Sequence, residues 1–179
     1  MRPAVASQVA TFAAAAALSV SAPSQSAASA QLLRTQTSFD LTVNLPYAEA
    51  APLFGPEGER AWGGDHWNPQ FLYPQPAHDE QGAVFIIQHG PFTVTWVNTL
   101  FDLEARHFQY AYFIPDILVT TIDVRFTPES ATTQVHVIYT RTALTSEGND
   151  QVAKLTASDK AAAQNWQQAI DTYLVSRKH

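Results

Sequence analysis

The chain has 179 residues, 16 acidic and 10 basic side chains, a formal net charge of −6 at pH 7 and no cysteine. Without cysteine there is no disulfide framework, no Cys-ligated zinc site and no lipid-modified N-terminal cysteine. The basic residues form no run, which argues against a surface that binds nucleic acid or an anionic membrane. The length suits one domain with a substantial core.

The N-terminal segment differs in composition from the rest of the chain. Arg2 is its only charge, an Ala-rich apolar run extends from Val9 to Val20, and small polar residues follow as far as the Ala-Ser-Ala of residues 28–30. This is the three-part pattern of a secretory signal peptide; the alternatives are a disordered Ala-rich tail and a transit peptide. The run is shorter than the about 20 residues that span a bilayer, so no stable membrane insertion is expected. We predict a signal peptide over 1–30, one domain over 31–179 and a secreted or periplasmic location.

The domain opens with a strand and a short helical region. Apolar and polar residues alternate over Ser38–Leu45, which predicts a half-buried strand. Pro46 ends the strand and suits the first turn of a helix, so Tyr47–Phe54 is predicted to be a short helix that stops at Gly55. The stretch GERAWGGDHWNP, residues 58–69, follows as a loop or partly helical segment.

A β-rich region comes next, with short turns that predict an antiparallel, meandering sheet. On the third of its strands, alternation places Phe92, Val94, Trp96, Asn98 and Leu100 on one face. The predicted strands are Phe71–Tyr73, Ala83–Gln88, Phe92–Leu103, Phe108–Ile114, Ile117–Thr127 and Thr132–Thr142.

The C-terminal segment changes to a helical period. Its apolar stripe is formed by Leu155, Ala162, Trp166, Ile170, Tyr173 and Leu174. Asp159 is predicted to lie mostly off this stripe, and Thr156 or Ser158 is predicted to cap the start of the helix. Each element then has one apolar face to bury, so an α+β fold with one antiparallel sheet curled around one long helix is expected.

Several pieces of the chain resemble the START-like (SRPBCC) superfamily, which includes Bet v 1-like ligand binders and polyketide cyclase/dehydrase proteins. The pieces are LFGPEGERAW (53–62), WNPQFLYP (67–74), GAVFIIQHG (82–90), TVTWVNTLFD (93–102), YTRTALTSEGN (139–149) and NWQQAIDTYL (165–174). His66 stands where the pattern W-x-x-G-W-x-P has glycine, so the loop is expected to differ locally. The resemblance implies a helix-grip fold, with about seven strands, two short helices after the first strand, and a cavity between sheet and C-terminal helix.

The resemblance also implies what the cavity holds. Superfamily members bind lipids, sterols, polyketides or aromatic hormones there, and a minority catalyse reactions. No universal catalytic residue carries over. The candidate ligand-binding residues are Trp62, Trp67, Trp96, Asn98, Tyr110, Tyr112, Tyr139 and Trp166.

Two readings of residues 58–69 remain open. The tryptophans Trp62 and Trp67 either line the cavity, with the two following glycines 63 and 64 providing mobility, or plug one end of the core. For Glu59 and Arg60, surface or capping contacts are the favoured prediction.

The histidines give a weaker signal. Asp65, His66, His78, Asp79 and His89 have the side chains of metal ligands, but their spacing fits no compact motif, so no metal site and no cofactor are expected. His89 is the weak candidate for a general base.

Three hypotheses follow. Two of them assign a function to the cavity, and the third assigns it none. The first is binding of a hydrophobic or aromatic small molecule; the second is a cyclase- or dehydratase-like activity in the same cavity, with a tyrosine as oxyanion donor. The third is an interaction module with a vestigial cavity.

Overall fold

The computed structural model describes residues 31–177, and the predicted signal peptide over 1–30 lies outside the described residues. Seven antiparallel strands form one sheet in the order β1-β7-β6-β5-β4-β3-β2. The strands are β1 (Arg34–Val43), β2 (Gln70–Tyr73), β3 (Val84–His89), β4 (Phe92–Asp102), β5 (His107–Ile114), β6 (Leu118–Pro128) and β7 (Thr133–Ala143). The predicted seven-stranded α+β helix-grip architecture is confirmed.

The helices fall into two groups, one after the first strand and one at the C-terminus. They are α1 (Tyr47–Ala50) and α2 (Pro56–Glu59), separated by a 3₁₀ turn (Ala51–Phe54), and α3 (Gly148–Ser158) and α4 (Ala162–Ser176), separated by a 3₁₀ turn (Asp159–Ala161). Among the helices of residues 31–177, none is long and apolar enough to cross a membrane.

Strand alternation builds the core on the concave face of the sheet. In the pair formed by β6 and β7, Ile122 faces Tyr139, and Val124 faces Val137. Successive side chains point to opposite faces, so about every second residue of these strands is buried on the inner face, and Ile170 of α4 is fully buried as well. This arrangement leaves the inner face apolar and the outer face polar.

A register shift in β4 changes the predicted inner face. The pairing of β4 with β5 shifts between Asn98 and Leu100, so the alternation moves by one residue beyond the shift. Phe101 therefore packs on Phe108 of β5, with ring centroids 4.1 Å apart, where Leu100 was predicted to face inward. Phe92 at the other end of the strand is 43% exposed. The predicted inner face therefore holds from Phe92 to Asn98 and is wrong at Leu100.

The predicted start of the C-terminal helix is wrong. Helix α3 begins at Gly148, before the apolar stripe starts. Its first turns are polar and only Val152 among their side chains is fully buried, so the apolar pattern does not mark the start of the helix. Thr156 and Ser158 do not cap a helix: their hydroxyls donate backward to the carbonyls of Val152 (2.7 Å) and Lys154 (3.1 Å).

Candidate functional site

A cavity with two connected parts lies between the concave face of the sheet and helix α4. Measured as the space open to the centre of a water molecule, the inner chamber has a volume of about 70 Å³ and the outer chamber about 780 Å³. One water needs about 10–15 Å³ on this measure, so the inner chamber has room for a small group and the outer one for a larger body. Both chambers share Glu59, Trp67, Trp96, Ile122, Tyr139 and Trp166 as wall residues.

The two tryptophans of residues 58–69 line the cavity and also anchor this loop. The indole N–H of Trp62 donates to the carbonyl of Leu53 at 2.7 Å, and that of Trp67 donates to Pro56 at 2.9 Å. Their rings meet the other walls edge-on, with Trp62 5.3 Å from Trp166 between ring centroids and Trp67 5.4 Å from Trp96. The carbonyls of the short helices are thus satisfied by the same side chains that face the cavity.

Gly63 permits a close contact. Its N–H donates to the carbonyl of Glu59 at 2.6 Å, and a Cβ at this position would lie 2.8 Å from the Cβ of Trp67. Gly64 has φ +76°, a conformation that glycine adopts without strain. The pair therefore fixes the turn that brings Trp67 back to the cavity; the mobility suggested from the sequence is not needed to explain either glycine.

The sheet supplies three tyrosine side chains with different roles. The hydroxyl of Tyr110 donates to the carbonyl of Phe54 at 2.5 Å, so this phenol is already used to hold the 3₁₀ turn. Tyr112 packs on Trp96 with centroids 4.5 Å apart and lines the outer chamber. Tyr139 lines both chambers, and within residues 31–177 its hydroxyl has no hydrogen-bond partner.

Asn98 lies apart from the cavity. It is fully buried, but it lines neither chamber, and its Nδ2 donates to the carbonyl of Glu80 at 3.1 Å. Its backbone N–H also bonds to Ala83 at 2.9 Å. Nδ2 therefore braces the turn before β3, whereas Oδ1 is buried without a hydrogen-bond partner among residues 31–177. The seven aromatic candidates all line the inner or outer chamber.

Glu59 is a wall residue that the sequence analysis assigned to surface or capping contacts. It ends helix α2, where consecutive side chains are about 100° apart, so Glu59 faces the cavity while Arg60 faces outward. Arg60 makes the predicted surface contacts, with Nε donating to Glu57 at 2.8 Å and Nη1 to Asn68 at 2.9 Å. The carboxyl of Glu59 has no hydrogen-bond partner within residues 31–177.

The environment of Glu59 favours its uncharged form. Burial raises the pKa of the Glu59 carboxyl well above its ordinary value, and the charge of Asp79 raises it further. Burial also raises the pKa of Asp79, although Oδ1 of Asp79 accepts a hydrogen bond from the backbone N–H of Glu57 at 2.9 Å. For Tyr110 and Tyr139, burial and then the charge of Glu59 raise the pKa of each phenol. In the inner chamber, burial thus favours the uncharged form of the Glu59 carboxyl and of both phenols.

The elevated pKa of Glu59 predicts a pH-dependent effect of Glu59→Gln on stability. In an acid whose folded-state pKa exceeds its unfolded value, the stabilising contribution is complete below the unfolded pKa, near 4.5, and is lost as pH rises through the folded pKa. Glu59→Gln avoids this loss. We expect the variant to resist urea more than the parent at about pH 8 and equally at about pH 4. Glu57→Gln, whose side chain is exposed on the same turn, is the matched control.

A difference between parent and Glu59→Gln that is constant from about pH 4 to 8 would contradict the prediction, because it would mean that Glu59 titrates alike in the folded and unfolded states.

A buried ion pair forms part of the wall of the outer chamber. Arg141 of β7 and Asp159, at the 3₁₀ turn between α3 and α4, have side chains only 5% and 8% exposed. Nη2 donates to Oδ1 at 2.9 Å, Nη1 donates to Oδ2, and the hydroxyl of Thr37 donates to Oδ2 at 2.6 Å. The guanidinium also lies over the ring of Tyr139, 4.5 Å from its centroid. The 3₁₀ turn directs Asp159 inward, which corrects the prediction that it lies off the buried stripe.

The histidines lie outside the inner chamber. His89 is an exposed residue at the end of β3 that borders the outer chamber, where burial and then the charge of His66 lower the pKa of its imidazole. His78 bonds to Glu80 at 3.0 Å in the exposed turn before β3. Within residues 31–177 no three His, Asp or Glu side chains form a group that would hold a metal ion.

The antiparallel sheet curled around α4 with this cavity beneath it is a Bet v 1-like helix-grip fold. Norcoclaurine synthase from Thalictrum flavum, solved in complex with dopamine and hydroxybenzaldehyde, is similar over 83% of this chain and 90% of that chain, with a TM-score of 0.58 and 13% identity. Ara h 8.0201 is similar over 80% of this chain and 99% of that chain, with a TM-score of 0.51 and 14% identity. CalU16 from Micromonospora echinospora is similar over 76% of this chain and 81% of that chain, with a TM-score of 0.50 and 12% identity.

These structural similarities, at 12–14% sequence identity, show a shared fold. No family model matches the chain, and no curated protein sequence matches it either.

Proposed function

We propose that the protein binds a hydrophobic or aromatic small molecule, such as a lipid- or polyketide-like compound, between the sheet and α4. The observation that carries the proposal is the wall of the inner chamber, which is aromatic and aliphatic except for the Glu59 carboxyl and the phenols of Tyr110 and Tyr139. Ligand sites in proteins are typically apolar concavities with a few convergent polar groups. Tyr110 is already hydrogen-bonded, so the groups left to orient a ligand are Glu59, Tyr139 and the indole N–H of Trp96, which is buried without a partner among residues 31–177.

Two further observations support this proposal. The similar norcoclaurine synthase was solved with two small aromatic molecules, dopamine and hydroxybenzaldehyde. The N-terminal pattern of residues 1–30 supports a secreted or periplasmic site of action, and N-terminal sequencing of the mature protein is expected to begin near Gln31.

Native mass spectrometry of the protein purified from its own source tests the binding function. We expect a defined small molecule to co-purify with the parent protein. Two matched variants are expected to retain different amounts of this molecule. Ala162→Phe places a ring in the outer chamber and is expected to retain about tenfold less of the molecule. Ala161→Phe, one residue earlier and exposed, is expected to retain it fully.

An empty protein that gains no thermal stability from any member of an aromatic and lipid library would contradict the binding function, since a ligand that binds only the folded state must stabilise it.

A second candidate function, acid–base catalysis of a cyclase or dehydratase type, has one specific observation in its favour. The pKa of the Glu59 carboxyl is raised well above its ordinary value, which brings an acid towards the pH at which it both accepts and donates protons. Glu59 replaces His89 as the general base of this hypothesis, and Tyr139 is the hydrogen-bond donor. Conversion of the co-purified molecule to a new mass by the parent, and not by Glu59→Gln, would support it.

A further inference from the structure

The wall of the inner chamber has one carboxyl, that of Glu59, and no cationic side chain. The charge that acts on Glu59 is that of a second carboxyl, Asp79, whose Oδ2 side lies against Gly55 at the start of α2. The buried guanidinium of Arg141 lines only the outer chamber and is already paired with Asp159. The Glu59 carboxyl lies in an otherwise apolar wall and has no hydrogen-bond partner among residues 31–177, so it is available to a polar group of a ligand.

The walls around Glu59 are largely aromatic. Trp67, Trp96, Tyr139 and Trp166 line both chambers together with the carboxyl. The negative face of an aromatic ring attracts an organic cation, most strongly for Trp and Tyr, and the attraction is larger where water is excluded. Tyr139 already has one cation over its ring, that of Arg141 at 4.5 Å. An aromatic wall with one unpartnered carboxyl therefore has the chemistry of a site for an ammonium group.

We propose that the ligand is an aromatic amine whose ammonium group pairs with Glu59 in the inner chamber. This inference rests on the proposed binding function and specifies its ligand class. A neutral carbonyl or hydroxyl at the same place would need only a hydrogen-bond partner, which glutamine supplies without the cost of a buried ionisable group. The second carboxyl, Asp79, adds a field that favours a positive group over a carbonyl oxygen.

Proton linkage gives the proposal a distinct signature. The titratable groups that act on or respond to Glu59 are Asp79, Tyr110 and Tyr139, and the phenols stay protonated because their pKa values are raised. In the free protein Glu59 favours its protonated form; in the complex it is ionised against the ammonium. Binding therefore releases a proton, and affinity rises by up to about tenfold per pH unit until pH exceeds the pKa of Glu59 in the free protein.

Calorimetric titration with two matched probes tests the inference. The probes are 2-phenylethylamine and its neutral isostere 2-phenylethanol, titrated at several pH values between about 5 and 8 in buffers of different ionisation enthalpy. We expect the amine to bind at least about tenfold more tightly than the alcohol at the upper end, with proton release, and the alcohol to show no pH dependence. Glu59→Gln is expected to abolish both the preference and the proton release, and Glu57→Gln to preserve them.

The outcomes separate this inference from the function on which it rests. Equal affinity for the two probes, or an amine preference that survives in Glu59→Gln, overturns the amine inference and leaves cavity binding standing. Failure of both probes to bind also overturns it, and the native mass spectrometry of the co-purified molecule then decides the binding function separately. Glu59→Gln is expected to remain folded, since it removes an ionisable group from the cavity wall. A loss of the amine preference in this variant is therefore measured on a folded protein.

Discussion

Replacing Arg141 by methionine is expected to lower the free energy of unfolding by about 3–5 kcal/mol, because the substitution leaves a buried carboxylate without its partner. Asp159 is 8% exposed and accepts two hydrogen bonds from the guanidinium and one from Thr37. Methionine keeps much of the apolar stem of arginine, so the expected loss reflects the charge that remains rather than a cavity. Urea unfolding at neutral pH, followed by far-UV circular dichroism, measures the loss.

Two further variants make this first prediction specific. Arg125→Met removes a guanidinium that pairs with Asp123 but is 59% exposed, so it is expected to cost less than about 1 kcal/mol. The double substitution Arg141→Met with Asp159→Leu is expected to recover most of the loss, because replacing a whole buried ion pair by apolar groups is often neutral. A double variant as unstable as Arg141→Met alone would show that the pair contributes by shape and not by charge.

Gly58→Ala is expected to lower the free energy of unfolding by at least about 3 kcal/mol, at the upper end of what over-packing costs. A Cβ at Gly58 would overlap the carbonyl oxygen of Pro52 and lie 3.0 Å from Cα of Leu53, so the backbone of α2 or of the preceding 3₁₀ turn has to move. That movement displaces Glu59, which follows directly in the chain. The same variant is therefore expected to lose binding of 2-phenylethylamine even where it remains folded.

Gly82→Ala is the control for Gly58→Ala. Gly82 has φ +85° and nothing within 4 Å of the added Cβ, so alanine there costs only the strain of a left-handed backbone, about 1–2 kcal/mol. Equal losses in the two variants would mean that the contact between α2 and the 3₁₀ turn gives way easily. Urea unfolding of both variants and the parent under one set of conditions decides between these results.

The strands were predictable because their alternation is local, whereas the direction of α2 depends on contacts between elements. Each strand from β3 to β7 carries enough alternating residues to define its inner face. Helix α2 has four residues, too few for a helical period, and its orientation follows from the contact of Gly58 with Pro52. For this reason Glu59 was assigned to the surface, although the neighbouring Trp62 and Trp67 were considered as possible cavity walls.

Two other errors have the same origin. The register shift after Asn98 has no signal in β4 itself, since it exists only in the pairing with β5. The burial of Asp159 depends on a 3₁₀ turn between two helices and on Arg141, which stands 18 positions earlier in the chain. An unbroken helical wheel places Asp159 away from the buried stripe, so the signal that would have found it is an arginine on the inner face of β7, opposite a carboxylate in the C-terminal helical segment.

The positions of the tryptophans give the protein a built-in optical reporter. The chain has four tryptophans, and all four, Trp62, Trp67, Trp96 and Trp166, are walls of the outer chamber. No indole elsewhere dilutes their emission, so excitation near 295 nm interrogates the cavity alone. A ligand that displaces water from these rings will shift the emission towards the blue, and one that absorbs near 340 nm will quench it by energy transfer. Occupancy can therefore be followed in unlabelled protein, at concentrations too low for calorimetry.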